Sequence, residues 1–255
     1  MELDLWGMPP FLFFFSIATA ASVCVFMILL YQKKFPIDRY LKYLAVASVG
    51  LILTAKLFGC ISGVYGTIGR GEAVTWDSVR NTGVVFYGGL IGMLAAYRLA
   101  LWRGDPDEGP GSMDILAVTI PLFHCLSRIG CFLGGCCYGM SCKSPISVWY
   151  TTDAFGQIIT DQRIPVQLIE SLLNLGLFFY LLSLFCREDW QERHILRRYL
   201  LIYSVLRFFL EFIRGDEMRG VVAGVSFSQV ISVGICLSLG LEYIFQKRKD
   251  GGYFS

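Results

Sequence analysis

The string Tyr-Ser-Val-Leu-Arg-Phe-Phe-Leu-Glu-Phe-Ile-Arg-Gly spaces Tyr203, Arg207, Glu211 and Arg214 at intervals of four, four and three. At about 100° per residue these four side chains fall within an arc of roughly 80°, on one face of a helix. Their neighbours are apolar, and ionisable groups in such a setting cost several kcal/mol unless paired or hydrated, so each is a candidate for function. Arg128 lies in a second apolar segment, with His124 one helical turn before it. Three guanidinium groups at one level repel each other unless an anion joins them. Their forked donors match phosphate oxygens bidentately, which points to a phospholipid head group. A plainer reading makes Arg207 and Glu211 a helix-to-helix ion pair and Arg214 an interfacial anchor.

A second constellation is the run Cys-Phe-Leu-Gly-Gly-Cys-Cys-Tyr-Gly-Met-Ser-Cys, which holds Cys131, Cys136, Cys137 and Cys142. It suits a disulfide, a soft-metal site or a thiol nucleophile, with inert free thiols as the plain alternative. The spacing C-x4-C-C-x4-C lacks the paired C-x2-C units of common zinc sites, so neither a metal nor another cofactor is expected. His124 reads first as a packing residue, with service as a base as the alternative.

The elements that carry these residues are membrane helices. The 255 residues are 55% hydrophobic and only 16% charged, with mean hydropathy +0.57, too apolar for a soluble domain of this size. A net charge of +2 with no basic stripe gives no support to nucleic-acid binding. The N-terminus carries Glu2 and Asp4 and lacks a signal-like basic region, so Phe11–Leu30 is expected to be a retained first span. Six more segments have spanning length: Leu41–Cys60, Val84–Trp102, Asp114–Leu133, Val166–Phe185, Arg198–Ile213 and Phe227–Phe245. The expectation is an all-α bundle of about seven transmembrane helices in one domain over residues 1–255. Lys33, Lys34, Arg98, Arg103, Arg197 and Lys247 fall on one side of these spans, while Arg70, Arg80, Lys143, Arg163, Arg214 and Arg219 fall on the other. Counting every Lys and Arg that flanks the spans gives a bias of roughly two to one, which puts the N-terminus outside and the C-terminus in the cytoplasm. Arg128, Arg207, Glu211 and Arg214, with Tyr87 and Lys56, then share the outer half of the bilayer. Only Asp114 lies in the inner half, which argues against a transport pathway, as does the absence of an internal repeat. Gly134–Pro165 is left as a small extracytoplasmic segment. The paired glycines Gly88 and Gly89 are explained by close helix packing before any catalytic use.

The chain resembles the bacterial prolipoprotein diacylglyceryl transferases, most clearly over Tyr87–Ser232. The resemblance rests on Gly88-Gly89-Leu-Ile-Gly after Tyr87, Asp114, Arg128-Ile-Gly130, Gly139, Pro165 with Gln167, Leu168 and Glu170, the Tyr203/Arg207/Glu211/Arg214 series, and Gln229 with Ser232. It implies seven spans in the bacterial cytoplasmic membrane, with the site facing the outer leaflet. It also implies transfer of a diacylglyceryl group from phosphatidylglycerol to a thiol, the lipobox cysteine of a prolipoprotein. Three positions depart from the family pattern: Tyr87 stands for a histidine, Cys131 for an asparagine and Cys136 for a glutamate. Catalytic roles then go to Tyr87, Arg128, Arg207, Glu211 and Arg214, and substrate contacts to Gly88, Gly89, Gly139, Tyr203, Gln167, Glu170, Cys131 and Cys136. A thiolate would attack the glycerol carbon and glycerol phosphate would leave, its charge met by the three arginines. Neither candidate base is strong, since a phenol ionises only near pH 10 and Glu211 sits between two arginines. The alternative is a non-catalytic relative that binds phospholipid or scaffolds a partner after losing its base.

Overall fold

A computed structural model describes residues 8–80, 83–104, 109–154, 157–215 and 221–251; Arg219 lies outside them. Among the described residues seven long helices account for most of the chain: α1 (Pro10–Gln32), α2 (Ile37–Gly69), α4 (Phe86–Gly104), α5 (Gly109–Leu133), α6 (Val166–Phe185), α7 (Ile195–Leu210) and α8 (Phe227–Gly251), with a single turn, α3 (Trp76–Arg80), between α2 and α4. Five of them (α1, α2, α5, α6 and α8) are each long and apolar enough to cross a membrane. The other two, α4 with 19 residues and two arginines and α7 with 16 residues and three, are less so. They instead pack along apolar neighbours, α4 on α2 and α7 on α8 and α5. The chain is a multi-pass helical membrane protein.

Local chemistry sets the helix ends. Proline opens α1, where a missing N–H costs nothing. Gly71, at φ +71°, ends α2 by letting the Glu72 N–H reach Thr67 O (3.1 Å) and its own N–H reach Ile68 O (3.0 Å). Ser226 and Gln229 form a reciprocal cap at the start of α8, the Gln229 N–H donating to Ser226 Oγ (3.2 Å) and the Ser226 N–H to Gln229 Oε1 (2.9 Å). At α7 the cap comes from another helix: the Leu196 N–H donates to Asp114 Oδ1 of α5 at 2.8 Å. The one inner-half carboxylate is thereby accounted for by structure.

The central helix is α5, with 72% of its apolar window buried against α1, α6, α7 and α4; the corresponding figure for α1, α2 and α8 is 17%. Leu53, Leu172, Phe209 and Leu237 point outward, as lipid-facing residues do. The α2–α4 contact is made by small residues. A Cβ at Gly88 would fall 2.5 Å from Phe58 Cβ, and one at Gly92 would overlap the Thr54 hydroxyl. That hydroxyl lies 2.6 Å from Gly50 O and 2.7 Å from Gly88 O. A Cβ at Gly89 would meet Leu51 and Ala55 at 3.3 and 3.4 Å. Gly88 and Gly89 thus serve close packing of α2 on α4, the first of the two roles expected for them.

The structure adds detail to one expected segment and corrects another. The 134–165 segment contains a β-hairpin, β1 (Val148–Ala154) antiparallel to β2 (Gln157–Arg163). β2, Gln-Ile-Ile-Thr-Asp-Gln-Arg, has no strict apolar–polar alternation to mark it as a strand. The 198–213 segment is not one continuous α-helix: α7 stops at Leu210, Glu211–Ile213 form a 3-10 turn and Arg214 is extended, at φ −75° and ψ 143°. A short pairing of β3 (Val221–Val222) with β4 (Val225–Ser226) leads into α8.

Candidate functional site

The N-terminal ends of α4, α6 and α8 and the C-terminal ends of α5 and α7 meet at one end of the bundle. Glu170, in the second turn of α6, is at the centre. Its carboxylate lies 2.9 Å from Arg128 Nε and 3.5 Å from Arg207 Nη1, with His124 Nε2 at 3.3 Å. Glu211 extends the row, 3.0 Å from Arg207 Nη2 and 3.9 Å from Arg214 Nη1. All five charged side chains are buried. Three guanidinium groups against two carboxylates leave one positive charge in excess.

This arrangement changes one step of the reasoning from sequence. The arginines do not depend on an outside anion to escape mutual repulsion, because Glu170 and Glu211 alternate with them. Glu170, expected at the substrate, fixes two arginines in place. Arg214 reaches the cluster although it has left the helical arc. Its backbone is bridged to Gly139, and the Met140 N–H donates to Ile213 O at 3.0 Å. Gly139 is confined there, since a Cβ would lie 2.5 Å from Ile164 O and 2.7 Å from Val166 Cγ2. Its role on this geometry is to bring the Arg214 segment against the start of α6.

Tyr87 is buried beside the cluster, its hydroxyl 2.7 Å from Ser232 Oγ of α8. Tyr203 packs between Tyr87 and Phe86, with ring centroids 5.6 and 5.3 Å away. Its hydroxyl has no hydrogen-bond partner among the described residues. Lys56, expected at the same depth, is exposed and donates to the carbonyl of Arg80 at 3.1 Å. His124 belongs to the site more closely than its reading as a packing residue suggested. Arg128 Nε donates to its Nε2 at 3.1 Å, Phe86 stacks on its ring at 4.0 Å, and its buried Nδ1 is unpartnered among the described residues. The i,i+4 spacing to Arg128 was the available signal.

The cysteine run folds beside Arg128. Cys131, Cys136 and Cys137 bring their sulfurs within 4.8 Å of one another, and Arg128 Nη1 is 3.9 Å from Cys131 Sγ. All nine cysteines are free thiols; of the two residues that a disulfide would most readily have used, Cys137 belongs to this group and Cys142 lies outside it. Gln167 Nε2 donates to Cys136 O at 2.6 Å and is held in turn by the Tyr150 hydroxyl, 3.1 Å from its Oε1. Gln167 thus supports the cysteine loop. Burial pushes the Tyr150 phenol up to about 12, against its hydrogen bond to Gln167. Hydrogen bonds from Cys131 and Cys136 hold the Cys137 thiol well below its ordinary value, with Arg128 and Arg214 adding to the effect, while contact with Cys131 and Cys137 pushes Cys136 up.

A cavity of about 190 Å³ opens over Glu211, lined by Phe212, Val221, Gly224, Ser226 and Gln229. The cluster can meet a tetrahedral anion with guanidinium donors already held in place, and thiols lie next to it.

The chain is similar to known proteins of one family. The prolipoprotein diacylglyceryl transferase family matches residues 10–244. A phosphatidylglycerol–prolipoprotein diacylglyceryl transferase of Clostridium tetani is 32% identical over 196 residues, spanning 77% of this chain and 76% of its own. A second protein of that name from Clostridium perfringens is 28% identical over 208 residues, spanning 78% and 80%. One from Helicobacter pylori is 30% identical over 251 residues, spanning 89% and 84%.

Proposed function

The chain belongs to the prolipoprotein diacylglyceryl transferase family, and from that membership we propose that it moves a diacylglyceryl group from phosphatidylglycerol to the lipobox cysteine of a prolipoprotein. The observation that carries the site assignment is the buried row Arg128–Glu170–Arg207–Glu211–Arg214, with its one excess positive charge. Burying five charges is costly, and a fold retains such a cost where the charges are used.

In this reading the acceptor thiolate attacks the glycerol carbon that bears the phosphate. The carbon–sulfur bond forms, the carbon–oxygen bond breaks, and glycerol phosphate leaves with the electron pair. Arg128, Arg207 and Arg214 meet the charge that develops on the departing phosphate. Glu170 and Glu211 hold the guanidinium groups in position beforehand, so little reorganisation accompanies the reaction. Removing one such preorganised donor typically costs about 3–4 kcal/mol. The unpartnered Tyr203 hydroxyl and His124 Nδ1 are available to head-group oxygens. The site faces the outer leaflet of the bacterial cytoplasmic membrane in this reading, because Lys33, Lys34, Arg98 and Arg197 lie together at the opposite end.

One observation favours the second reading, a phospholipid-binding relative without turnover: Tyr87, at the position of the family histidine, has its hydroxyl engaged by Ser232. Complementation separates the two. Expression in cells depleted of their own transferase is expected to restore thioether lipid on a lipobox reporter. Verified expression and phosphatidylglycerol binding, without modification of any thiol acceptor tried, would favour the second.

A further inference from the structure

The transfer reaction needs an acceptor sulfur in its thiolate form, and the residues nearest the arginines offer no free carboxylate for that purpose. Both carboxylates are taken up by guanidinium groups, and the Tyr87 hydroxyl is taken up by Ser232. Beside them stands a group that the function described so far leaves unused. Cys131 lies in the last turn of α5, the chain turns back through Gly135 at φ +67° and Cys137 at φ +59°, and three sulfurs converge. A non-glycine residue in the left-handed region is uncommon and is kept where its surroundings demand it. The loop is pinned at both ends of the turn. The Cys136 N–H donates to Cys131 O at 3.1 Å, and Gln167 donates to Cys136 O. Sulfur ligands of a tetrahedral zinc-like ion at about 2.3 Å stand about 3.8 Å apart, within reach of sulfurs that are already no more than 4.8 Å from one another.

We propose that Cys131, Cys136 and Cys137 form a three-thiolate site for a thiophilic divalent ion of the zinc type, whose fourth position takes the acceptor thiol. This rests on the transferase reading above and deepens it. A disulfide would use two of three sulfurs that point to one place, whereas an ion uses all three. Three protein ligands and one vacant position mark catalytic zinc sites, while structural sites are closed by four. Cys142 does not close the set, and Cys125 is engaged by Ser171 at 3.3 Å. Cys136 is exposed and Cys137 half-buried, so the group has an open side. Gln167, steadied by Tyr150, supplies the outer support that metal ligands need.

The chemistry balances without a redox partner. The acceptor thiol binds the ion and releases its proton to water. The bound thiolate then forms the carbon–sulfur bond as the carbon–oxygen bond to phosphate breaks, and glycerol phosphate departs. The ion stays with its three cysteine ligands. It takes over the task of a base, worth about a hundredfold or more in rate. C-x2-C pairs are one way to bring thiolates together, and a loop folded back by two left-handed residues is another.

The test uses the full-length chain in detergent, stripped with a chelator and titrated with cobalt(II), then zinc. One equivalent of cobalt is expected, with a thiolate charge-transfer absorption that zinc abolishes and that shifts when a cysteine-containing lipobox peptide is added. Cys131→Ser, Cys136→Ser and Cys137→Ser should each weaken the absorption, with folding checked by gel filtration. Because the titration is done on the wild-type chain, the result does not depend on a variant that folds. Transfer should fall about a hundredfold on stripping and return with zinc. No cobalt absorption, or mass spectrometry showing two of the three cysteines joined in the protein as isolated, would overturn the site. Full transfer by stripped protein would overturn its role and leave the transferase reading standing. Metal bound at one equivalent with no transfer under any condition would overturn the transferase reading instead.

Discussion

Both ends of the bundle gather positive charge, but they hold it in opposite ways. At the site end Arg128, Arg207 and Arg214 are 8, 5 and 8% exposed and interleaved with two carboxylates. At the other end Lys33, Lys34, Arg98 and Arg197 line an open cleft of about 790 Å³ around Asp114 and Trp190. Charges on an open cleft keep most of their hydration, and their contribution to stability is small and screened. Charges packed among five helix ends have lost theirs. The number of arginines is therefore a poor guide to the site, and the larger of the two cavities is at the wrong end for the reaction. What separates the ends is burial of the pairs: Arg197 also has a carboxylate partner, Glu242 at 2.6 Å, but both side chains stay in contact with solvent.

Substitutions that remove a partner should have the largest effect. Glu170→Ala leaves Arg128 and Arg207 without their shared carboxylate, and breaking a buried pair in this way costs about 3–5 kcal/mol. Thermal unfolding should show a large loss of stability together with loss of transfer, and a stable, active variant would break the contrast between the ends. Gly92→Leu should come next. Its side chain would enter the space of the Thr54 hydroxyl, and overpacking of this kind costs about 1–3 kcal/mol. Stability should fall while transfer per folded molecule holds. Asp114→Ala at the open end should cost about 1 kcal/mol through loss of the α7 cap. Phosphatidylglycerol binding, measured by native mass spectrometry, should be unchanged, and weakened binding would join the two ends functionally.

The same contrast explains what could be read from sequence. Helix number and the outward apolar faces follow from hydropathy, which records the choice of solvent directly. The 203–207–211 spacing marks one helical face because α7 is regular through Leu210 and Glu211, its cap residue, still has helical dihedrals. Arg214 is reached only through a 3-10 turn and the Gly139 bridge, and these depend on a loop and a hairpin edge some 50 to 75 residues earlier in the chain. Glu170 was singled out as a substrate contact, but its position between two arginines is a tertiary fact that spacing within α6 does not contain. Likewise the convergence of Cys131, Cys136 and Cys137 depends on positive φ angles at Gly135 and Cys137, and only the glycine advertises such an angle. The Ser226–Gln229 cap, by contrast, is legible as a Ser-x-x-Gln signature before α8.

The central claim is that paired, buried guanidinium groups at one end of the bundle act on the phosphate of the lipid donor. It is tested most directly by measuring label transfer from radiolabelled phosphatidylglycerol to a lipobox peptide in two matched variants, Arg207→Lys and Arg98→Lys. Lysine keeps the charge and loses the planar fork. The account predicts a fall of about a hundredfold or more in the first and an unchanged rate in the second. Equal rates in the two variants would contradict it.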